Sequence, residues 1–220
     1  IRFSVPRGWF LPVSPGTRFV TVGGAIANDI HGKNHHGAGT FGCHVKSLVL
    51  SRSDGTQYSC SPDSEIDLFR ATIGGLGLTG LITEAVIQLR PIETPWIAQE
   101  SIRFDSLDEF FELSFASSVQ FDYTVAWLDC VHPGGRGIFM RGNHATRVQA
   151  IGAGKAIHAE PSGIPLVVPF NAPSWVLNTQ TVKAFNWCYF HKQRRREERS
   201  LQHHIPFFYP LDAVYGWNKI

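Results

Sequence analysis

Between Pro15 and Gly42 the chain gathers residue types that handle anions and protons. His31-Gly32-Lys33-Asn34-His35-His36-Gly37-Ala38-Gly39 sets three imidazoles, an ammonium and a carboxamide among glycines. Donors at that density on freely turning backbone suit a ligand site better than a core. Just upstream, Val20-Thr21-Val22-Gly23-Gly24-Ala25 reads as a strand running into a glycine pair, where amide N–H groups can meet a ligand closely. Ala25 to Ile30 then reads as the start of a helix whose positive end faces an anionic group. Each glycine pair alone is weak evidence, whereas the whole run is unusual.

Simpler readings compete. His31, His35 and His36, with His44 nearby, are candidate metal ligands, but only Asp29 and Cys43 stand close enough in sequence to complete a set. A metal therefore ranks well below an organic cofactor. His35 and His36 read equally well as hydrogen-bonding the backbone, and Lys33 has a solvated surface position as its plain alternative. A second glycine element, Ala71 to Gly80, leads into the apolar run Leu81 to Leu89. A dinucleotide fingerprint follows a strand and opens a helix, whereas here the order is helix, glycines, strand. A nicotinamide site is rejected on that ground, and these glycines read as close backbone packing beside a planar ligand.

The elements that must position this run are short. Val45 to Leu50 and Leu81 to Leu89 read as strands, and Ser53-Asp54-Gly55 as the turn of a hairpin returning through Thr56 to Cys60. Asp63 to Thr72 reads as a helix capped by Asp63 or Ser64. The proline pair Pro91 and Pro95 divides the chain into residues 1–93 and 94–220. In the second part Ser106 to Ser117 reads as a helix capped by Ser106, with Leu107, Phe110, Phe111 and Phe115 at helical spacing. Tyr123 to Val131 and Gly137 to Met140 read as strands, and Ala153 to Pro173 as a long surface connection. The class is α+β.

Pro12 to Pro91 resembles the FAD-linked oxidase family with the vanillyl-alcohol-oxidase (PCMH-type) fold. Pro15-Gly16-Thr17-Arg18, Val20 to Gly24, Asp29 to His36, Ala38-Gly39, Phe41-Gly42 and Gly77-Leu78-Thr79-Gly80 are similar to its decaprenylphosphoryl-ribose oxidase branch. Past Pro95 the likeness thins to Ala126-Trp127, Trp187, Phe208 to Asp212 and Trp217-Asn218. The resemblance implies the second subdomain of an FAD-binding domain followed by part of an α+β substrate (cap) domain. It implies noncovalent FAD contacted, mostly through backbone, by Gly16, Thr21, Val22, Gly23, Gly24, Asn28, Asp29, Ile30, His31 and Ile82. Asn28 stands where the branch has cysteine, and Leu76 where it has asparagine. His31 and Lys33 would support catalysis from the substrate side, and Lys33 and Trp187 would touch substrate. The implied reaction removes hydride from a carbinol carbon of a lipid-linked sugar to give a ketone, with the proton acceptor outside this chain and a partner reductase consuming the product. A same-fold oxidase for another alcohol, such as an aldonolactone, and a non-catalytic module are the alternatives. Core packing is as good a reading of Trp187 as substrate contact.

The chain has 220 residues, 43% of them hydrophobic, enough for a real core, and a formal charge of +2 that recruits no nucleic acid. Cys43, Cys60, Cys130 and Cys188 are widely spaced, form no CxxC, and read as buried small residues in a reducing compartment. The absence of Met at Ile1 reads as a cut from something longer. With no apolar run long enough to span a bilayer, the expected location is cytoplasmic or peripheral to the inner membrane. Lys192 to Arg199, holding Arg194-Arg195-Arg196 and Glu197-Glu198, reads first as a solvated helix end and second as attraction to lipid phosphate.

Overall fold

A computed structural model describes residues 1–157, 166–173, 175–216 and 219. The chain divides into two units, Ile1–Ile92 and Glu93–Ile220. Both mix short helices with antiparallel sheet, as the α+β reading requires.

In the first unit, β1 (Trp9–Phe10) precedes α1 (Val22–Ala27), α2 (His35–Ala38), β2 (Val45–Ser51), β3 (Gln57–Cys60), α3 (Ile66–Thr72), β4 (Leu81–Ile87) and β5 (Arg90–Pro91). β2 is the centre of an antiparallel β3-β2-β4 sheet, and β1 pairs with β5. The hairpin is as expected: Ser51 pairs with Gln57, and Gly55 takes the left-handed φ of +82° that the turn demands. Val13, Ala25, Ile26, Phe41, Val45, Leu48, Leu50, Cys60 and Phe69 form the core.

Two local expectations are corrected here. Val20 to Ala25 is not a strand, because Thr21 caps a helix: its Oγ1 accepts from the Gly24 N–H at 3.0 Å, and the helix runs from Val22. The small residues Gly23, Gly24 and Ala25 let this helix sit close to the sheet, which outweighs the β preference of Val20 and Val22. Nor is α3 capped by Asp63 or Ser64. Ser61 and Ser64 pair with each other across a tight turn, and the chain enters the helix through Glu65 at φ +50° with no side-chain cap.

In the second unit, β6 (Trp96–Phe104) is followed by α4 (Leu107–Ser117), β7 (Tyr123–Leu128), β8 (Gly137–His144), α5 (Arg147–Gly152), β9 (Leu166–Val167), α6 (Thr179–Lys192), β10 (Glu197–His203), α7 (His204–Phe208) and β11 (Val214–Tyr215). A four-stranded antiparallel sheet, β10-β6-β8-β7, carries the unit, and β11 pairs in parallel with β9. Ser106 caps α4 as expected, accepting from the Glu109 N–H. Of the α4 stripe, Phe110 packs on Phe104 and Phe139, while Phe111 and Phe115 stand exposed. Within Ala153 to Pro173, residues 158–165 lie outside the described residues, as do Trp217 and Asn218. The reading of all four cysteines as buried is overturned: Cys60 is buried, whereas Cys43, Cys130 and Cys188 are exposed free thiols.

Candidate functional site

The site is built around α1. Thr21 opens the helix, and the first-turn amides of Val22 and Gly23 have no carbonyl behind them within the helix. At the other end the glycine loop closes it, with Gly74 N–H donating to Ile26 O at 3.0 Å and Leu76 N–H to Ala27 O at 2.8 Å. Left-handed Gly74, Leu76 and Gly77 make that loop possible. Gly23 faces β4: a Cβ there would lie 3.7 Å from the Ile82 Cβ, in ordinary contact. Val20, Val22 and, next to Ile82, Leu81 are exposed. This junction is therefore a close approach of the α1 backbone to Ile82, bordered by exposed apolar groups.

Beyond α1 the chain turns sharply at Asp29, whose φ is +42°. Its Oδ1 accepts from the Gly42 N–H at 2.8 Å, while Phe41 N–H donates to Ile30 O at 2.8 Å. Those bonds close the base of a loop, and His31 bridges Thr40. Asn34 is buried and donates to Pro12 O at 2.6 Å. Gly32 lies so near the backbone that a Cβ would sit 2.7 Å from Ser14 O. His44 Nε2 contacts Ala38 O at 2.9 Å, and His35 Nδ1 contacts Gly39 O at 3.3 Å. The histidine loop is thus held in place from below.

What this loop presents is chemical. The His31 and His35 rings meet edge to face at 5.6 Å, both exposed. Lys33 between them is half-buried, and burial lowers its ammonium to about 8. A lysine so tuned both donates hydrogen bonds and exchanges its proton near neutral pH. No group of three or more His, Cys, Asp or Glu able to hold a metal occurs among the described residues.

The remaining expected site residues fall into place unevenly. Gly16 lies in an exposed turn, with nothing within 4 Å of where a Cβ would be. Gly24 N–H is used by the Thr21 cap, and Asn28 folds back so that its Nδ2 donates to Gly24 O at 2.9 Å. Ile30 donates its N–H to Ala25 O and packs against the core. Gly23 thus lies against Ile82, while Ala25, Ile26 and Ala27 of the same run are buried in the core. Trp187 belongs to the second unit, on α6, where it is 56% exposed and lies 4.4 Å from the His191 ring, so it is not a core residue. Its neighbour Asn186 is buried and donates to Asp129 Oδ1 at 2.7 Å. Burial pushes the Asp129 carboxyl up, but the Asn186 and Arg136 hydrogen bonds outweigh it and hold the group below its ordinary value. Sequence reading missed this anchor, as it missed the roles of Asn34, Gly32 and Gly42. Only Gly42, directly after a buried Phe41, carried a local signal.

Residues 2–61 match the family of the FAD binding domain. Over its whole length the chain is 35% identical to the decaprenylphosphoryl-β-D-ribose oxidase of Mycolicibacterium smegmatis, covering 49% of that protein. It is 34% identical over 108 residues to cytokinin dehydrogenase 9 of Oryza sativa subsp. japonica, a match to 47% of this chain and 20% of that protein. It is 35% identical over 86 residues to a putative D-arabinono-1,4-lactone oxidase of Neurospora crassa, with 39% and 15% covered. The chain spans about half the length of the first of these relatives and less of the others.

Proposed function

We propose that the chain is part of an FAD-linked oxidoreductase that oxidises a sugar hydroxyl to a ketone, a reading supported by the match of residues 2–61 to the FAD binding domain and by the 35% identity along the chain to a ribose oxidase. The observation that carries the reading is the junction of Gly23 with Ile82 inside the matched region. A planar ring needs a surface without side chains, apolar flanks and donors at its polar edge. Gly16, with nothing within 4 Å of where a Cβ would be, would supply the first, Val22, Leu81 and Ile82 the second, and the α1 first turn the third. The residues present therefore fit FAD.

When bound, FAD supplies the acceptor for hydride leaving the carbinol carbon. The chain's own part is to hold and to polarise. Backbone amides of Val22 and Gly23 would donate toward a carbonyl or anionic edge, reinforced by the start of α1. Thr21, Gly24, Asn28, Asp29 and Ile30 keep that backbone in shape. His31 and Lys33 would place positive charge and donors where negative charge develops, and Lys33 can lose a proton near pH 8. Trp187 would line the sugar pocket. The flavin would be noncovalent, since the donor-rich setting of His31 suits electrostatic support.

The 35% match along the whole chain favours a polyprenyl-phosphate-linked ribose as substrate, with a separate reductase taking up the ketone. The lactone oxidase and cytokinin dehydrogenase matches support the wider reading of a same-fold oxidase for another substrate. Anaerobic mixing of the purified yellow protein with each substrate class separates these readings. Bleaching by the lipid-linked ribose alone is expected. Bleaching by an aldonolactone instead would move the substrate, and a colourless protein that cannot be loaded with FAD would overturn the proposal.

A further inference from the structure

Residues 161–196 contain no Asp or Glu but five Lys or Arg, together with Phe170, Trp175, Phe185, Trp187, Tyr189 and Phe190. In a chain whose overall charge is only +2, this segment concentrates positive charge and aromatic residues. α6 lies within it. Its inner side is anchored by buried Asn186 and Phe190, and its C-terminus by buried Gln193. Gln193 Nε2 donates to Ser101 O at 2.9 Å and to Arg196 O at 2.9 Å, and Ser101 Oγ donates to Gln193 Oε1 at 2.7 Å. The turn after the helix is therefore fixed.

From that fixed turn, Lys192, Arg194 and Arg195 project into solvent around a concavity of about 640 Å³. Its rim also holds Glu197, Glu198 and Arg199, and both carboxylates are engaged within it. Glu198 Oε1 accepts from the Arg194 and Arg195 backbone N–H groups, and Glu197 pairs with Arg199. Arg196 pairs with Glu109, and Arg199 also with Glu100. Among the described residues, Lys192, Arg194 and Arg195 form no ion pair. Exposed Trp175 and Leu177 lead into α6, and exposed Phe185 lies on it. A helix that carries exposed aromatic and aliphatic side chains along it and at its start, and cations at its end, offers both groups that a membrane surface takes, anionic headgroups over an apolar boundary. A nucleic-acid surface would need the charges but not the aliphatic groups.

We propose that α6 and its flanks, with Lys192, Arg194 and Arg195 as the charged contacts, dock the protein on an anionic phospholipid bilayer. This goes beyond the oxidation reading and does not depend on which hydroxyl is oxidised. The test is co-sedimentation of the purified protein with vesicles of phosphatidylcholine alone or mixed with phosphatidylglycerol. Binding to the mixed vesicles only is expected, falling as salt rises. The triple variant Lys192→Gln, Arg194→Gln, Arg195→Gln should lose partitioning by roughly 100-fold, with an unchanged circular-dichroism spectrum. Trp175→Ser with Phe185→Ser should weaken binding but keep its salt dependence. Equal binding to both vesicles, or no salt dependence in the unaltered protein, would overturn the proposal. So would release by inorganic phosphate at constant ionic strength, which marks a discrete phosphate site, or tighter binding to a single-stranded oligonucleotide than to vesicles.

Discussion

Asn34 reaches back 22 residues in sequence to give a 2.6 Å hydrogen bond to the Pro12 carbonyl, and it does so from a buried position. The histidine loop is thereby tied to the irregular segment that follows β1. Removing the carboxamide leaves a buried carbonyl without that donor. Asn34→Ala should cost about 1–3 kcal/mol in urea unfolding, and flavin content should fall as His31 and Lys33 lose their frame. Unchanged stability would show that the bond is not needed.

The glycines of the site separate into two kinds. A Cβ on Gly42 would meet Ile73 Cγ2 at 2.3 Å and Asp29 Oδ1 at 2.8 Å, so Gly42→Ala should destabilise by about 1–3 kcal/mol. Gly23 offers ordinary contact at 3.7 Å and lies inside a helix. Gly23→Ala should leave the flavin-free protein as stable or raise it by about 0.5–1 kcal/mol, while lowering flavin occupancy. Gly24→Val is a less clean variant, because its Cβ crowds the Thr21 Oγ1 cap at 3.0 Å. Full flavin content in Gly23→Ala would place the ring elsewhere.

Much of this arrangement was legible in the sequence, for physical reasons. The β2–β3 hairpin and the Ser106 cap rest on local rules, and both are present. Local rules failed at Val20 to Ala25, where packing of a glycine-rich helix onto the sheet overrode β propensity, and at Glu65, where a left-handed residue replaced an ordinary cap. The histidine run announced a donor-rich loop. Its fastening to Pro12 and Ser14 did not show, because it depends on contacts about 20 residues away.

Acid should act on the second unit through His204. Burial, then the neighbouring His203, lowers its imidazole to about 3, and its Nδ1 lies 3.3 Å from Pro95 O. The folded state keeps this group neutral where the unfolded chain protonates it below its usual value. Its contribution is complete above that value and is lost as pH falls toward 3. Between pH 7 and 4.5 the unaltered protein should lose roughly 2–3 kcal/mol more stability than His204→Gln. Parallel losses in chemical denaturation would refute this.

His31 is exposed and edge-on to His35, a setting for a donor close to a ring. Acid or heat should therefore release all flavin into the supernatant. His31→Ala should slow flavin reduction more than it lowers flavin content. A fluorescent band surviving denaturing electrophoresis, and lost in His31→Ala, would establish a covalent tether instead.

Lys33 gives a prediction with a definite sign. Burial lowers its ammonium from the usual 10.5 to about 8 in the folded chain, so the fold disfavours the charged form. Between pH 8 and 10.5 the unfolded chain still binds a proton that the folded chain has released. Flavin-free protein should therefore gain stability across that interval relative to Lys33→Met, and below pH 8 the variant should be the more stable by roughly 1–3 kcal/mol. Binding an anionic group beside the ammonium reverses the balance, because an opposite charge favours the protonated form. Flavin loading should then move the titration of Lys33 upward and flatten the stability difference above pH 8. Denaturation of both proteins, with and without flavin, measures all four curves. Identical curves with and without flavin would separate Lys33 from the cofactor, whatever its effect on stability alone.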